Sequence, residues 1–80
     1  MKKSNSKLET DEYIGSRVRE SRQRLDMTQQ QLAECLGVSY QQVQNYENGI
    51  NGISAVRLFV ICEILNVPLQ AMFPSLQISG

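Results

Sequence analysis

Apolar residues recur every three or four positions along most of the chain, and polar residues fill the positions between them. This spacing is typical of helices that bury one face against a core and expose the other. Interruptions at Asp26-Met27, Gly37 and Gly49 separate successive helical stretches. The pattern therefore predicts an all-α fold of five helices, over residues 11–25, 29–36, 40–48, 55–65 and 68–73.

The residues that flank these stretches support the predicted helix ends. Four helices follow a residue whose side chain can accept hydrogen bonds from the first turn, namely Asp11, Thr28, Ser39 and Ser54. A glutamine lies three residues after Thr28 and after Ser39, which is the capping-box pattern. Gly37 and Gly49 follow the second and third helices, where a positive φ is often needed. Pro68 suits the first turn of the fifth helix, because its missing N–H costs nothing there.

A chain of 80 residues has room for one small domain with one core. Residues 1–10 are polar and lack periodicity, so they are predicted to form a flexible N-terminal arm. The folded domain is expected over residues 11–74, and residues 75–80 are interpreted as a C-terminal tail or the stump of a longer protein. The predicted core consists of Ile14, Val18, Leu25, Leu32, Ala33, Leu36, Val43, Tyr46, Leu58, Ile61, Cys62 and Leu65.

Composition narrows the chemistry that the chain can perform. It has no histidine, no phosphate-cradling glycine loop and no nucleophile–base set, and its two cysteines lie far apart. We therefore expect no enzymatic activity, no metal, no cofactor and no small-molecule substrate. Cys35 and Cys62 are interpreted as reduced structural residues. No apolar stretch is long enough to cross a membrane, and no signal peptide follows Met1, so a cytoplasmic protein is expected.

The net charge of zero argues against a strongly basic nucleic-acid binder. The charges are unevenly distributed, however. Seven of the eight basic residues lie within the first 24 positions: Lys2, Lys3, Lys7, Arg17, Arg19, Arg22 and Arg24. If the protein binds DNA, it should do so with few ionic contacts and with help from dimerisation.

The stretch from Gln29 to Gly49 has the organisation of a helix-turn-helix unit, with two short helices joined by a glycine-bearing turn. Ala33 supplies the small residue that such a unit needs where its helices touch, and Gly37 supplies the residue that tolerates positive φ. A compact pair of antiparallel helices without DNA-binding function would show the same pattern.

The outer face of the third predicted helix favours DNA binding. Exposed helical surfaces commonly carry charged pairs, whereas this face carries almost only neutral amides. Asn and Gln side chains can form two hydrogen bonds with adenine in the major groove. The predicted outer residues are Gln41, Gln42, Gln44, Asn45 and Asn48. Glutamine-rich helical surfaces also occur by chance, so a simple solvated face is the alternative.

Two runs of sequence strengthen this interpretation because they resemble the Xre/Cro family of phage-type repressors. These runs are TQQQLAECLGVS at 28–39 and QVQNYENG at 42–49. The resemblance extends from Ile14 to Phe73, about three quarters of the chain. It implies a lambda-repressor-like bundle of five helices whose third helix enters the major groove of double-stranded DNA.

The resemblance also implies roles for individual residues. Gln29 matches a glutamine that contacts phosphate and supports the start of the recognition helix, while Asn48 matches a residue that commonly contacts phosphate. Ser39 lies at the start of the recognition helix, whose free N–H groups would face the DNA backbone, and Gln44 borders the base-reading surface. The base-reading positions correspond to Tyr40, Gln41, Gln42 and Asn45. Tyr40 is bulkier than the usual residue there, so it either contacts a base or sugar or only caps the helix.

Arg22 and Glu47 match a family pair that joins the first helix to the third by a semi-buried ion pair. An ordinary surface cation is the alternative for Arg22. Many relatives carry Arg or Lys in the recognition helix or the following loop, whereas this chain has Asn45 and the neutral segment 50–52. This departure predicts weak attraction to phosphates.

The expected function is that of a sequence-specific transcriptional regulator, a repressor that acts as a homodimer on a palindromic operator. The fourth predicted helix has more apolar residues than one buried face requires. The excess, Val56, Phe59, Val60 and Ile64, is a candidate dimer interface. The alternative is that the fifth helix or the tail covers Phe59 and Ile64. The alternative function is an antitoxin, in which the same domain serves as a protein-interaction module.

Overall fold

The structure is a computed structural model that describes residues 6–74. It contains four α-helices, and within the described residues it has no strand. They are α1 (Ser6–Arg24), α2 (Gln29–Leu36), α3 (Tyr40–Glu47) and α4 (Ala55–Leu65). The fifth predicted helix is instead a single turn of 3₁₀ helix, Leu69–Met72, preceded by Pro68 in an extended conformation. The predicted all-helical class is confirmed. The predicted count of five α-helices is wrong, because the fifth element is a 3₁₀ helix.

The first helix differs most from its prediction. It begins at Ser6, so Asp11 lies inside the helix and is not its N-cap. Residues 6–10 are therefore helical, and the rest of the predicted arm lies outside the described residues, as do residues 75–80. Lys7, Leu8 and Glu9 are favourable helix formers, and such residues can extend a helix beyond the start of its apolar pattern.

The end of α1 corrects one predicted core residue. The helix ends at Arg24, and Asp26 adopts a left-handed conformation with φ of +57°. This turn places Leu25 outside the core, where its side chain is exposed. The break predicted at Asp26-Met27 is confirmed, whereas the inward orientation predicted for Leu25 is wrong.

The predicted caps of the next three helices are present. The Thr28 hydroxyl accepts from the Gln31 N–H at 3.0 Å, and the Gln31 side chain accepts from the Thr28 N–H at 2.8 Å. The Ser39 hydroxyl caps α3 in the same way, but the Gln42 side chain does not complete the second box. It donates instead to Asn51 Oδ1, at 3.4 Å.

The core lies where α1, α2, α3 and α4 meet beneath the 3₁₀ helix. It contains the predicted apolar residues other than Leu25, together with Met72. Cys62 is buried, and this burial, reinforced by the negative charge of Glu63, raises the pKa of its thiol. Cys35 is exposed, so the interpretation of both cysteines as structural is wrong for Cys35. No helix in the described part of the chain is long and apolar enough to span a membrane.

α1 and α3 approach each other closely at Gly15. A Cβ atom at this position would lie 2.4 Å from the carbonyl oxygen of Tyr46 and 2.6 Å from that of Glu47. The contact therefore requires glycine. It fixes the last turn of α3 directly against the middle of α1.

Candidate DNA-binding surface

The short turn between α2 and α3 orients the second helix with one face outward. Gly37 adopts a φ of +73°, and its N–H is bonded to the carbonyl oxygen of Ala33 at 2.9 Å, which ends α2. Val43 and Tyr46 then turn into the core. The polar and aromatic residues on the opposite side of α3 form an outer surface that we call the amide ridge, made of Tyr40, Gln41, Gln42, Gln44 and Asn45. Tyr40 and Gln41 are exposed, and the other three are half-buried.

Hydrogen bonds between its own side chains hold the amide ridge in place. Gln41 Nε2 donates to Asn45 Oδ1 at 3.2 Å, and Gln44 Nε2 donates to the Tyr40 hydroxyl at 3.1 Å. Each bond uses one donor and leaves further amide or hydroxyl groups available to a ligand. Because Ser39 is the N-cap of α3, capping is not the role of Tyr40.

A buried ion pair anchors the far end of α3. Arg22 Nε lies 2.6 Å from Glu47 Oε2, and Arg22 Nη2 lies 3.0 Å from Glu47 Oε1. The Arg22 side chain is 9% exposed and that of Glu47 is 0% exposed, so Arg22 is not an ordinary surface cation. A third bond from Arg22 Nη1 to the Met27 carbonyl oxygen, at 2.7 Å, ties the turn before α2 to the same group.

Gln29 joins this buried cluster from the start of α2. Its Nε2 donates to Glu47 Oε1 at 2.9 Å, and the side chain is half-buried. One carboxylate thus links α1, α2 and α3. The arrangement fixes the position of α3 relative to the N-terminus of α2, while the predicted contact between Gln29 and phosphate stays a prediction.

Sequence reasoning missed Arg19, which the structure places beside the end of α3. Arg19 Nη2 donates to Asn48 Oδ1 at 3.1 Å, and Arg19 Nε lies 3.6 Å from Glu47 Oε1. The spacing of Arg19 and Arg22 could have revealed this position. Residues three apart share a helical face, so Arg19 should lie near Glu47, the predicted partner of Arg22. Asn51 was missed as well, since its contact with Gln42 depends on the path of the loop after Gly49.

The predicted interface residues on α4 separate into two groups. Val56, Phe59 and Val60 are exposed, with 76% of Val56 and 55% of Phe59 accessible. Ile64 is half-buried and packs against the core, so it lies at the edge of this strip. The 3₁₀ helix leaves Phe59 exposed, and the tail that was the other predicted cover of Phe59 and Ile64 lies outside the described residues. We use the term α4 strip for Val56, Phe59 and Val60.

Two short helices joined by a left-handed glycine, with a polar outer face on the second, define a helix-turn-helix protein. The chain belongs to the helix-turn-helix family HTH_3, whose sequence model matches residues 18–72. The predicted resemblance to the Xre/Cro group of regulators is thereby confirmed.

Two relatives extend this finding. An HTH-type transcriptional regulator of Sinorhizobium medicae is 48% identical over 63 residues, which are 79% of this chain and 45% of the relative. The antitoxin PezA of Streptococcus pneumoniae is 33% identical over 54 residues, covering 68% of this chain and 34% of PezA. The chain therefore spans less than half the length of these relatives.

Solved structures share the fold. The restriction-modification controller protein C.AhdI from Aeromonas hydrophila superposes with a TM-score of 0.72 at 26% identity, over 78% of this chain and 94% of that one. Hydroxypropylphosphonic acid epoxidase from S. wedmorenis gives a TM-score of 0.76 at 24% identity, over 81% of this chain and 35% of the enzyme. The latter similarity concerns the fold alone.

Proposed function

We propose that this regulator reads a specific sequence of double-stranded DNA with its amide ridge and represses transcription as a homodimer on a palindromic operator. The observation that carries the proposal is the uncharged, internally hydrogen-bonded outer face of α3, which the buried Arg22–Glu47 pair anchors. A regulator of transcription acts where the chromosome is, and the proposal therefore includes a cytoplasmic location.

The amide ridge suits base reading because its free groups include both donors and acceptors. In the Gln41–Asn45 bond, Gln41 keeps its carbonyl oxygen and Asn45 keeps its NH₂ group. Adenine offers the complementary pair, an N6 donor and an N7 acceptor, at its major-groove edge. Because the two side chains already orient each other, less conformational freedom is lost when DNA binds.

Contacts with the DNA backbone orient the ridge. The free N–H groups at the starts of α2 and α3, near Gln29 and Ser39, provide partial positive charge for phosphates. Gln29 and Asn48 contribute neutral donors beside them. Such contacts position the protein on any sequence, while Gln41, Gln42 and Asn45 discriminate between bases.

Replacing Gln41 or Asn45 with alanine is expected to reduce discrimination between the preferred site and a shuffled duplex. The loss for each should be about 1–3 kcal/mol, or roughly 5- to 150-fold, because a pair of base contacts disappears. Fluorescence anisotropy with both duplexes measures this ratio, and thermal unfolding checks that the fold persists. Gln23→Ala, which removes an exposed glutamine from α1, is the matched control and should leave the ratio unchanged. If both variants kept the same ratio of affinities for the two duplexes, residues other than Gln41 and Asn45 would have to read the bases.

A dimer is proposed because two or three base contacts are too few for one domain to compete against genomic DNA. The α4 strip supplies an apolar surface on an element separate from the amide ridge. Two-fold pairing through α4 would present two α3 helices to half-sites about one turn of DNA apart.

Phe59→Glu is expected to shift the protein from dimer to monomer, because it introduces a charge at the single aromatic side chain of α4, which is 55% exposed. Sedimentation equilibrium with and without operator DNA measures the change. Leu25→Glu places the same charge on an exposed apolar residue far from α4 in sequence and should leave the association constant unaltered. An unaltered chain that stays monomeric at high concentration, even with operator present, rules out this dimer.

The antitoxin function is the second candidate, and the similarity to PezA supports it. In that case the α4 strip would bind a toxin protein rather than a second copy of this chain. A toxin gene adjacent to the gene for this chain, whose product forms a stable complex with it, would favour this alternative.

A further inference from the structure

We infer that Arg19 and Asn48 together form a phosphate-binding pair, in which α1 supplies the ionic contact that the recognition helix lacks. This inference rests on the proposed DNA-binding function and deepens it, since it assigns a ligand group to one more side chain. It also explains how DNA, a polyanion, can be attracted by a chain whose net charge is zero and whose amide ridge is uncharged.

The other described arginines are engaged or lie elsewhere. Arg22 is buried against Glu47, Arg57 is half-buried and donates to the Leu36 carbonyl oxygen at 3.1 Å, and Arg17 is bonded to both Glu20 and the Ala71 carbonyl oxygen. Arg24 is exposed, but it lies about 140° further around α1 than Arg19. Among the described residues, Arg19 is therefore the exposed cation at the end of α3.

The charges around Glu47 do not cancel. Within this group of three side chains, the guanidinium groups of Arg19 and Arg22 surround the single carboxylate of Glu47, which leaves one positive charge in excess. Arg22 and Glu47 are buried, whereas the Arg19 side chain is 45% exposed. The excess charge is therefore carried at the surface, next to Asn48.

The hydrogen bond between Arg19 and Asn48 prepares both side chains for an anion. Asn48 accepts through Oδ1, so both N–H groups of its amide remain as donors. Arg19 uses one of its five N–H groups in this bond and lies 3.6 Å from Glu47 Oε1 through Nε, too far for a strong hydrogen bond. Adjacent donors from a guanidinium and an amide match the several acceptor oxygens of a phosphate.

The test compares Arg19→Gln with Arg24→Gln, two exposed arginines of α1 that undergo the same change of charge. Affinity for one duplex is measured by anisotropy over a series of salt concentrations. The slope of log K against log salt should decrease in magnitude by about 0.9 per protomer for each phosphate that the protein no longer neutralises. We expect this decrease for Arg19→Gln and an unaltered slope for Arg24→Gln. Arg19→Lys, which keeps the charge, should retain the slope of the unaltered chain.

The salt slope distinguishes phosphate binding from a purely structural role, because weaker packing around Glu47 lowers thermal stability without changing the number of ions released. Equal slopes for Arg19→Gln and the unaltered chain overturn the inference, while DNA binding by the unaltered chain still supports the proposed function. Equal decreases for Arg19→Gln and Arg24→Gln also overturn it, since they indicate a general effect of charge. Failure of the unaltered chain to bind any duplex would overturn the proposed function itself, and this inference with it.

Discussion

Replacing Glu47 with alanine is expected to lower the free energy of unfolding by about 3–5 kcal/mol, because it leaves a buried charge without its partner. The Arg22 guanidinium would lose the bonds of 2.6 and 3.0 Å that compensate for its removal from water. Gln29 would lose the acceptor for its side chain at the same time. Urea denaturation followed by circular dichroism measures the change.

Glu20→Ala is the matched control for this experiment. Glu20 also pairs with an arginine of α1, Arg17, but its side chain is 53% exposed. A solvent-exposed pair of this kind contributes about 0–1 kcal/mol, so the control should be nearly neutral. If Glu47→Ala and Glu20→Ala lowered the free energy of unfolding by similar amounts, the buried Arg22–Glu47 pair would not anchor α3.

Gly15→Ala should also be strongly destabilising, although alanine normally favours a helix interior by roughly 0.5–1 kcal/mol over glycine. The added methyl group would overlap two backbone carbonyl oxygens of α3, and backbone atoms cannot move aside as a flexible side chain can. We expect a net loss of about 3 kcal/mol, at the upper end of the range for overpacking. Because α1 and α3 must separate, the affinity for DNA should fall as well.

Urea denaturation and anisotropy of Gly15→Ala and Ser16→Ala provide the comparison. Ser16 is the next residue of α1, and it is exposed, so its replacement should leave both quantities nearly unchanged. A Gly15→Ala variant more stable than the unaltered chain would contradict the close approach of the two helices.

The sequence predicted the parts of the fold that local chemistry determines. Thr28, Ser39 and Ser54 cap their helices because a side-chain oxygen satisfies a free N–H group of the first turn. Gly37 can adopt its positive φ at the end of α2 because glycine lacks the Cβ atom that makes this conformation costly for other residues. Apolar periodicity identified Val43 and Tyr46 as the buried face of α3. The outward orientation of Gln41 could then be inferred, because Gln41 does not lie on that face.

The failures concern features that depend on neighbours in space. The start of α1 was misplaced because polar residues without periodicity can continue a helix that already packs elsewhere. Leu25 was assigned to the core because periodicity does not reveal that the chain turns at Asp26. The Arg19–Asn48 bond joins residues 29 positions apart, and only the packing of α1 against α3 brings them together.

Selection of bound duplexes from a random DNA library, carried out with the unaltered chain, addresses the proposal that the amide ridge reads bases. The expected result is an enriched motif of two inverted half-sites about one turn of DNA apart. The same selection with the double variant Gln41→Ala, Asn45→Ala should lose the bases that those residues contact. Binding without any enriched sequence, or an identical motif from the double variant, would contradict base reading by α3.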